Sequence, residues 1–312
     1  MDRERDTAKT ETIDLSGEDN WVLHADNGNV LPRFCDGSFR LIYIDPPFNS
    51  GKVQRRKKLS TVRNDDGDRV GFGGRRYRTV SLGSTSYSDV FDDYLAYIAS
   101  RLEQAHRLLT PDGTLYFHID QREAHYCKVL LDQIFGRDCF INEIIWAYDY
   151  GGRSRRRWPA KHDTILVYAK DAKSYFFDQE AIERIPYMAP GLVSKEKAAR
   201  GKLPTDVWWH TIVPTNGKER TGYATQKPEG ILRRILSASS QENDWVLDFF
   251  AGSGTTGAVA QKMNRRFVMI DNNDEAITVM ARRLGSHGIR YVDGALNLLN
   301  VEQTQSGQLG FF

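Results

Sequence analysis

The most regular feature of the chain is an alternation between short apolar runs and longer stretches whose apolar residues recur every three or four positions. Runs of the first kind hold Trp21, Val22 and Leu23; Leu41, Ile42, Tyr43 and Ile44; residues 114–119, 140–146 and 164–169; Val246 and Leu247; and Phe267, Val268, Met269 and Ile270. Each is short and nearly continuous, which predicts a strand buried on both faces. From Asp89 onward, Phe91, Tyr94, Leu95, Ile98, Leu102, Ala105, Leu108 and Leu109 define one face of a helix, which Pro111, Asp112 and Gly113 stop. Further helices are expected in a short stretch ending at Phe34, over residues 122–135 and 275–284, and where Pro228 precedes Ile231, Leu232, Ile235 and Leu236. Strand alternating with helix predicts an α/β fold on a doubly wound, mostly parallel sheet.

Two stretches break the alternation. Residues 51–86 have little apolar periodicity and many Gly, Arg and Ser, so a long mobile loop is expected there. Residues 171–222 show no repeat and hold many Pro, Lys and aromatic residues, which reads as an excursion from the sheet. The organisation expected is a disordered tail over residues 1–19, one domain over 20–299 carrying these two insertions, and a second tail over 300–312.

A chain of 312 residues can bury a full core as one large domain. No apolar run approaches the ~20 residues of a membrane span, and the charged first residues lack the apolar centre of a signal peptide. A cytoplasmic protein with no membrane contact is therefore expected. Cys35, Cys127 and Cys139 lack the spacing of metal ligands and are expected to be buried thiols, with no disulfide frame and no metal. The net charge of +2 hides an uneven distribution. Between residues 51 and 80 ten Lys or Arg stand against three acids, and Arg55, Arg56, Lys57, Lys58, Arg75 and Arg76 dominate that run. Arg153, Arg155, Arg156 and Arg157 form a second cluster. Both follow the carboxyl ends of expected strands, the rim where open α/β sheets bind ligands, so contact with nucleic-acid phosphates is one reading of them. The alternative is a merely solvated charged face.

Candidate chemistry sits at two strand ends. Asp45, Pro46, Pro47 and Phe48 close the second apolar run. The prolines fix their own φ and extend the residue before them, so the Asp45 carboxylate and the Pro46 carbonyl become stiffly held acceptors beside the Phe48 ring. Such a cluster suits a planar group bearing an NH2, although a Pro-rich turn capping a core strand would read the same way. The second site is the glycine turn after Val246 and Leu247. Gly252, Gly254 and Gly257 satisfy G-x-G-x-x-G, and Asp271 ends the next strand nineteen residues after Gly252. This is a βαβ unit whose glycines let the backbone approach a nucleoside cofactor and whose acid can accept ribose hydroxyls. Taken alone, it leaves a nicotinamide cofactor open.

With these residues assembled, the chain resembles the amino-group DNA methyltransferases that use S-adenosylmethionine. The resemblance is carried by Asp248, Phe250, Ala251, Gly252, Ser253, Gly254, Thr255 and Thr256, preceded by Thr225, Gln226, Lys227 and Pro228 and, far upstream, by Asp45 to Phe48. The catalytic motif precedes the cofactor motif, as in the permuted β group. The resemblance implies a seven-stranded sheet with one antiparallel strand. It implies that Phe250, Gly252 and Gly254 pass under the methionine end of the cofactor, with Ala251, Ser253, Thr255 and Thr256 in the same turn. Asp271 with Asn272 would take the ribose hydroxyls, Thr225, Gln226 and Lys227 would help hold the methionine carboxylate, and Asp26 would lie near the adenine ring. Phe48 stands for the commoner Tyr, Asp271 for the commoner Glu, and Ala224 where Pro is usual.

The implied reaction is methyl transfer to the exocyclic amine of a base flipped out of the duplex, with Phe48 stacking on it. Adenine N6 is favoured because Asp stands at position 45, where cytosine enzymes of this type often carry Ser; N4-cytosine is the alternative. The resemblance also suggests homodimers, a companion restriction endonuclease and association with the nucleoid. A NAD-dependent oxidoreductase and a non-catalytic nucleic-acid binding protein are the competing classes. For Trp208, Trp209 and His210, packing is expected rather than a metal ligand.

Overall fold

The computed structural model describes residues 11–49, 52–63, 69–70, 76–89, 93–152 and 154–301. In chain order the elements are β1 (Asn20–His24), α1 (Asn27–Val30), β2 (Phe39–Ile44), β3 (Lys52–Arg63), β4 (Arg69–Val70), β5 (Arg76–Asp89), α2 (Tyr94–Leu108), β6 (Leu109–Ile119) and α3 (Ala124–Phe135). They continue with β7 (Phe140–Ala147), β8 (His162–Ala169), α4 (Lys195–Arg200), β9 (Val207–Trp209), α5 (Glu229–Ser239), β10 (Trp245–Asp248), α6 (Thr255–Lys262), β11 (Arg266–Asp271), α7 (Asp274–Leu284) and β12 (Ile289–Asp293). The chain divides into two compact parts, Met1–Pro46 with Leu95–Phe312, and Pro47–Tyr94.

The larger part is built on a nine-stranded sheet in the order β12-β1-β11-β10-β2-β6-β8-β7-β9. Only β8 runs against its neighbours, pairing antiparallel with β6 and with β7. The other pairings in this sheet are parallel. The continuous apolar runs have the cause inferred from sequence: Val22, Leu23, Leu41, Ile42, Ile44, Val246, Leu247, Val268 and Ile270 are fully buried. Each contributes roughly 1.5–3 kcal/mol relative to an exposed side chain. Helix α5 is amphipathic and buries one stripe, through Ile231, Leu232, Ile235 and Leu236.

The expected α/β class and single reversed strand are both present. Two strands beyond the seven expected, β9 and β12, extend the edges, each only three to five residues long. Pro111, Asp112 and Gly113 do not leave the sheet. Leu109 pairs with Phe39 and Thr114 with Leu41, so the residues between them form a bulge within β6.

The smaller part corrects an expectation. The segment 51–86, expected to be a loop, contains a three-stranded antiparallel sheet in the order β3-β5-β4, with Lys52 opposite Asp89 and Arg63 opposite Tyr77. Main-chain hydrogen bonds define such a ladder without any apolar alternation, which is why the pattern did not announce it. The helix expected from Asp89 begins at Tyr94, β5 runs to Asp89, and Phe91, expected on the helix face, lies outside the described residues.

The disorder expected over residues 1–19 does not extend to Ile13. Ile13 is buried, forms a parallel bridge to Phe34 and donates its N–H to the Arg33 carbonyl at 3.0 Å. Residues 1–10 and 302–312 lie outside the described residues. Of the cysteines, Cys127 is buried and its thiol is pushed up to about 12 by that burial, whereas Cys35 is exposed, contrary to expectation. Among the described residues no helix is long and apolar enough to cross a membrane.

Candidate active site

Four neighbouring parallel strands, β1, β11, β10 and β2, each run into an acid at the carboxyl edge of the sheet: Asp26, Asp271, Asp248 and Asp45. Sequence order separates Asp45 from Asp248 by about two hundred residues, yet Val246 pairs with Leu41 and Leu247 with Ile42, so the two acids end adjacent strands. Open α/β sheets bind ligands at this edge because helix N-termini and loop amides gather there.

The turn after β10 is shaped by glycine. Gly252 has φ +51° and Gly254 φ +69°, a left-handed region that side chains with a Cβ rarely adopt. A Cβ on Gly254 would also come within 2.6 Å of Met280 Cγ on α7. Asp248 is buried beneath this turn. Its Oδ2 accepts from Thr256 Oγ1 at 2.6 Å and its Oδ1 from the Phe250 N–H at 3.1 Å. Burial pushes its carboxyl up to about 7 against those two bonds, with the negative charges of Asp45 and Asp271 adding to the rise.

Asp271 accepts from the Gly252 N–H at 2.8 Å and the Asn273 N–H at 2.9 Å, so it braces the glycine turn from the next strand. Burial raises its carboxyl above the usual range. The Asn272 amide adds to these bonds in limiting that rise. Just after β1, Asp26 caps α1 by accepting from the Gly28 N–H at 2.8 Å and meets Arg101 Nη2 at 3.3 Å. Asn27 donates to the Phe249 carbonyl at 2.8 Å, and Arg101 lies over the Tyr97 ring at 4.1 Å. The Tyr97 and Phe250 rings stand 6.5 Å apart. Acceptors at two strand ends, a glycine turn whose Gly252 is half-buried and a pair of aromatic rings fit a nucleoside carrying a flat base and a vicinal diol.

Asp45 is held differently from the other three acids. Its Oδ2 forms an ion pair with Lys227 Nζ, while its Oδ1 is buried with no hydrogen-bond partner among the described residues. Lys227 reaches it from the segment before α5, and the Lys227 carbonyl accepts from Thr255 Oγ1 at 3.0 Å. Arg283 Nη1 donates to the same Thr255 oxygen at 2.9 Å, and its Nη2 meets Glu229 Oε1 at 3.0 Å.

On the other side of β2 the site continues as a hydrogen-bonded row. The Tyr43 hydroxyl lies 2.8 Å from His118 Nδ1, His118 Nε2 lies 3.1 Å from Asp163 Oδ2, and Tyr148 donates to Asp163 Oδ1 at 3.0 Å. A carboxylate can only accept, so His118 donates through Nε2. Burial works to raise the Asp163 carboxyl, but the bond and charge of His118, the charge of Lys227 and the Tyr148 hydroxyl together hold it below its ordinary value.

The sequence candidates fall unevenly. Asp26, Asp45, Lys227, Asp248, Phe250, Ala251, Gly252, Ser253, Gly254, Thr255, Thr256 and Asp271 gather at the carboxyl edge of β1, β11, β10 and β2, and the second compact part begins at Pro47, with Phe48 inside it. Gln226 spends its side chain locally: Oε1 accepts from the Thr221 N–H and hydroxyl, and Nε2 donates to the Glu219 carbonyl. Thr225 and Asn272 are exposed, and the Asn272 carbonyl faces His24 Nε2 at 3.3 Å. Arg55, Arg56, Lys57 and Lys58 lie on β3 and Arg76 opens β5. Arg155, Arg156 and Arg157 are exposed in the connection from β7 to β8, while Arg75 and Arg153 lie outside the described residues.

Trp208 is in the core with Nε1 donating to the Thr205 carbonyl, and the His210 ring packs on Gly230, where a Cβ would run into it; Trp209, expected to pack with them, is exposed instead. Asn27, Arg101, Glu229 and Arg283 were missed. Their partners lie tens to hundreds of residues away, and only the Asp26-Asn27 pair after a strand offered a local signal.

A family model described as DNA methylase, covering the N6 and N4 methyltransferases, matches residues 39–282. The chain is 32% identical over 257 residues to the type II methyltransferase M.HpaI of Haemophilus parainfluenzae, spanning 82% of this chain and 71% of that one. It is 30% identical over 305 residues to the DNA adenine methyltransferase YhdJ of Escherichia coli K12, spanning 95% and 92%. Among solved structures, the M1.HpyAVI–SAM complex superposes with a TM-score of 0.55 at 18% identity, covering 85% of this chain and 99% of that one. None of these proteins is an oxidoreductase, and the nicotinamide alternative finds no support. With the motifs at adjacent strand ends and the family model spanning most of its length, the chain belongs to the N6/N4 DNA methylase family.

Proposed function

We propose that this protein transfers a methyl group from S-adenosylmethionine to the N6 amine of an adenine flipped out of double-stranded DNA. The observation that carries this assignment is the buried, uncommitted Oδ1 of Asp45 at the end of β2, one strand away from the glycine turn. S-adenosylmethionine, when bound, supplies an electrophilic methyl on a sulfonium that leaves with the carbon–sulfur electron pair. Phe250, Gly252 and Gly254 would lie along it, with Asp271 and Asp26 accepting from its polar groups.

An exocyclic amine is a weak nucleophile because its lone pair is delocalised into the ring. Asp45 Oδ1 and the Pro46 carbonyl would each accept one amine hydrogen, which draws the nitrogen toward tetrahedral geometry and frees the pair for attack. The nitrogen that gains a methyl must give up one proton, and the Asp45 carboxylate is the base within reach. This is catalysis by positioning and electrostatics. The stacking role of Phe48 rests on the sequence, as do the phosphate contacts assigned to Arg55, Arg56, Lys57, Lys58, Arg155, Arg156 and Arg157.

Adenine is preferred over cytosine on two grounds: Asp rather than Ser at position 45, and 30% identity over nearly the whole chain to a DNA adenine methyltransferase. Incubating the protein with DNA and methyl-labelled S-adenosylmethionine, then digesting to nucleosides, should yield labelled N6-methyladenine. N4-methylcytosine as the product would replace adenine by the second base, and no labelled nucleoside from any DNA would reject the activity.

A further inference from the structure

Lys227 lies in a segment expected to help hold the cofactor, and the structure shows its charge on the acid of β2. Its Nζ pairs with Oδ2 of Asp45, and its side chain is largely buried, at 12% exposure, against 16% for that of Asp45. Its carbonyl accepts from Thr255 Oγ1, the first residue of α6 after the glycine turn, and Arg283 fixes that hydroxyl from α7. One residue therefore touches both halves of the site, the acid of β2 through its side chain and the cofactor turn through its backbone.

The consequence for Asp45 is an asymmetric carboxylate. With Oδ2 committed to an ammonium, Oδ1 is the oxygen left to accept from a substrate, and its orientation is set because the two oxygens share one plane. Resting on the amino-methyltransferase assignment above, we propose that Lys227 is a positioning residue: it locks the Asp45 carboxylate so that Oδ1 meets the target amine, and ties that acid to the turn that carries the methyl donor.

The test is single-turnover methyl transfer with saturating DNA and S-adenosylmethionine, alongside calorimetric binding of the cofactor. Lys227→Met should lower the transfer rate about 10- to 100-fold, the range expected when a reacting group is displaced by about 1 Å. Cofactor affinity should stay within about 3-fold, and Lys227→Arg should recover part of the rate. In an Asp45→Asn background, Lys227→Met should add almost nothing, because the residue acts through the acid. A Met variant that loses cofactor affinity at an unchanged transfer rate would overturn the proposal and return Lys227 to cofactor binding.

Should the Met chain fail to fold, Thr255→Val removes the hydroxyl that holds the lysine carbonyl and leaves the ion-pair groups in place. It is expected to slow the same step about 3-fold or more, and an unchanged rate contradicts the tether. The wild-type chain separates the two levels of inference. If it methylates DNA, these variants judge Lys227 alone; if it does not, the assignment of function fails first.

Discussion

Asp248 and Asp45 end adjacent strands, and their surroundings differ in nearly every respect. Asp248 is surrounded by donors, with a hydroxyl and an amide on its two oxygens, and among the described residues no cation pairs with it. Asp45 has a cation on one oxygen and, among the described residues, nothing on the other. A carboxylate with satisfied oxygens holds its surroundings in place. One that keeps a buried acceptor open is costly to the fold and is retained where a ligand completes it. The pair teaches that an acid at a strand end is not enough to identify chemistry: the state of its lone pairs divides bracing groups from reacting ones.

Substitutions can exchange or separate these roles. The largest effect is expected from Asp45→Ala, which removes the carboxylate aimed at the amine. Methyl transfer should fall by about 10³-fold or more while cofactor affinity is retained, and a variant with near wild-type turnover would erase the distinction between the two acids.

Asp248 should respond in stability. Its carboxyl ionises at about 7 in the folded chain, against an ordinary value of about 4. Between these limits the folded state holds the extra proton, so the group's contribution to stability falls as pH rises from about 4 to about 7 and is level above that. Asp248→Asn removes this titration. Urea unfolding from pH 4.5 to 7.5 should show the variant gaining on the wild type as pH rises, by on the order of 4 kcal/mol at full effect. Parallel curves would mean that Asp248 is ionised throughout.

The smallest effect concerns the turn that Asp248 supports. Gly254→Ala must place a Cβ at positive φ and against Met280, and about 3 kcal/mol of stability should be lost; Gly288→Ala, at φ +66° with open space around it, should lose only the backbone share of about 1–2 kcal/mol. Equal losses at the two positions would show that the turn has room to yield.

Much of this arrangement was legible in the sequence because its signals are local. A buried strand, a turn and an acid occupy consecutive residues at Asp45, at Asp248 with its glycines, and at Asp271. What could not be read is whatever crosses the chain. The Lys227–Asp45 pair spans 182 positions, and Arg283 meets Glu229 across 54. Nothing near Lys227 says which way its side chain turns, and the motif gave no sign of its pairing with Asp45. The β3-β5 ladder was missed for another reason. Residues such as Arg55, Arg56, Lys57 and Lys58 have no apolar alternation to display, and backbone pairing alone leaves no mark in composition.

The outer edge of the sheet carries a further consequence. The Asn20 N–H bonds to the Gly288 carbonyl as β1 begins, and the Leu299 N–H bonds to the Tyr291 carbonyl, on the residue paired with Val22. The chain thus enters and leaves this sheet side by side. A short linker there would allow new ends to be opened in some other surface connection without rearranging any strand, so the order in which a gene spells out acid and glycine turn is a matter of where the ring is cut.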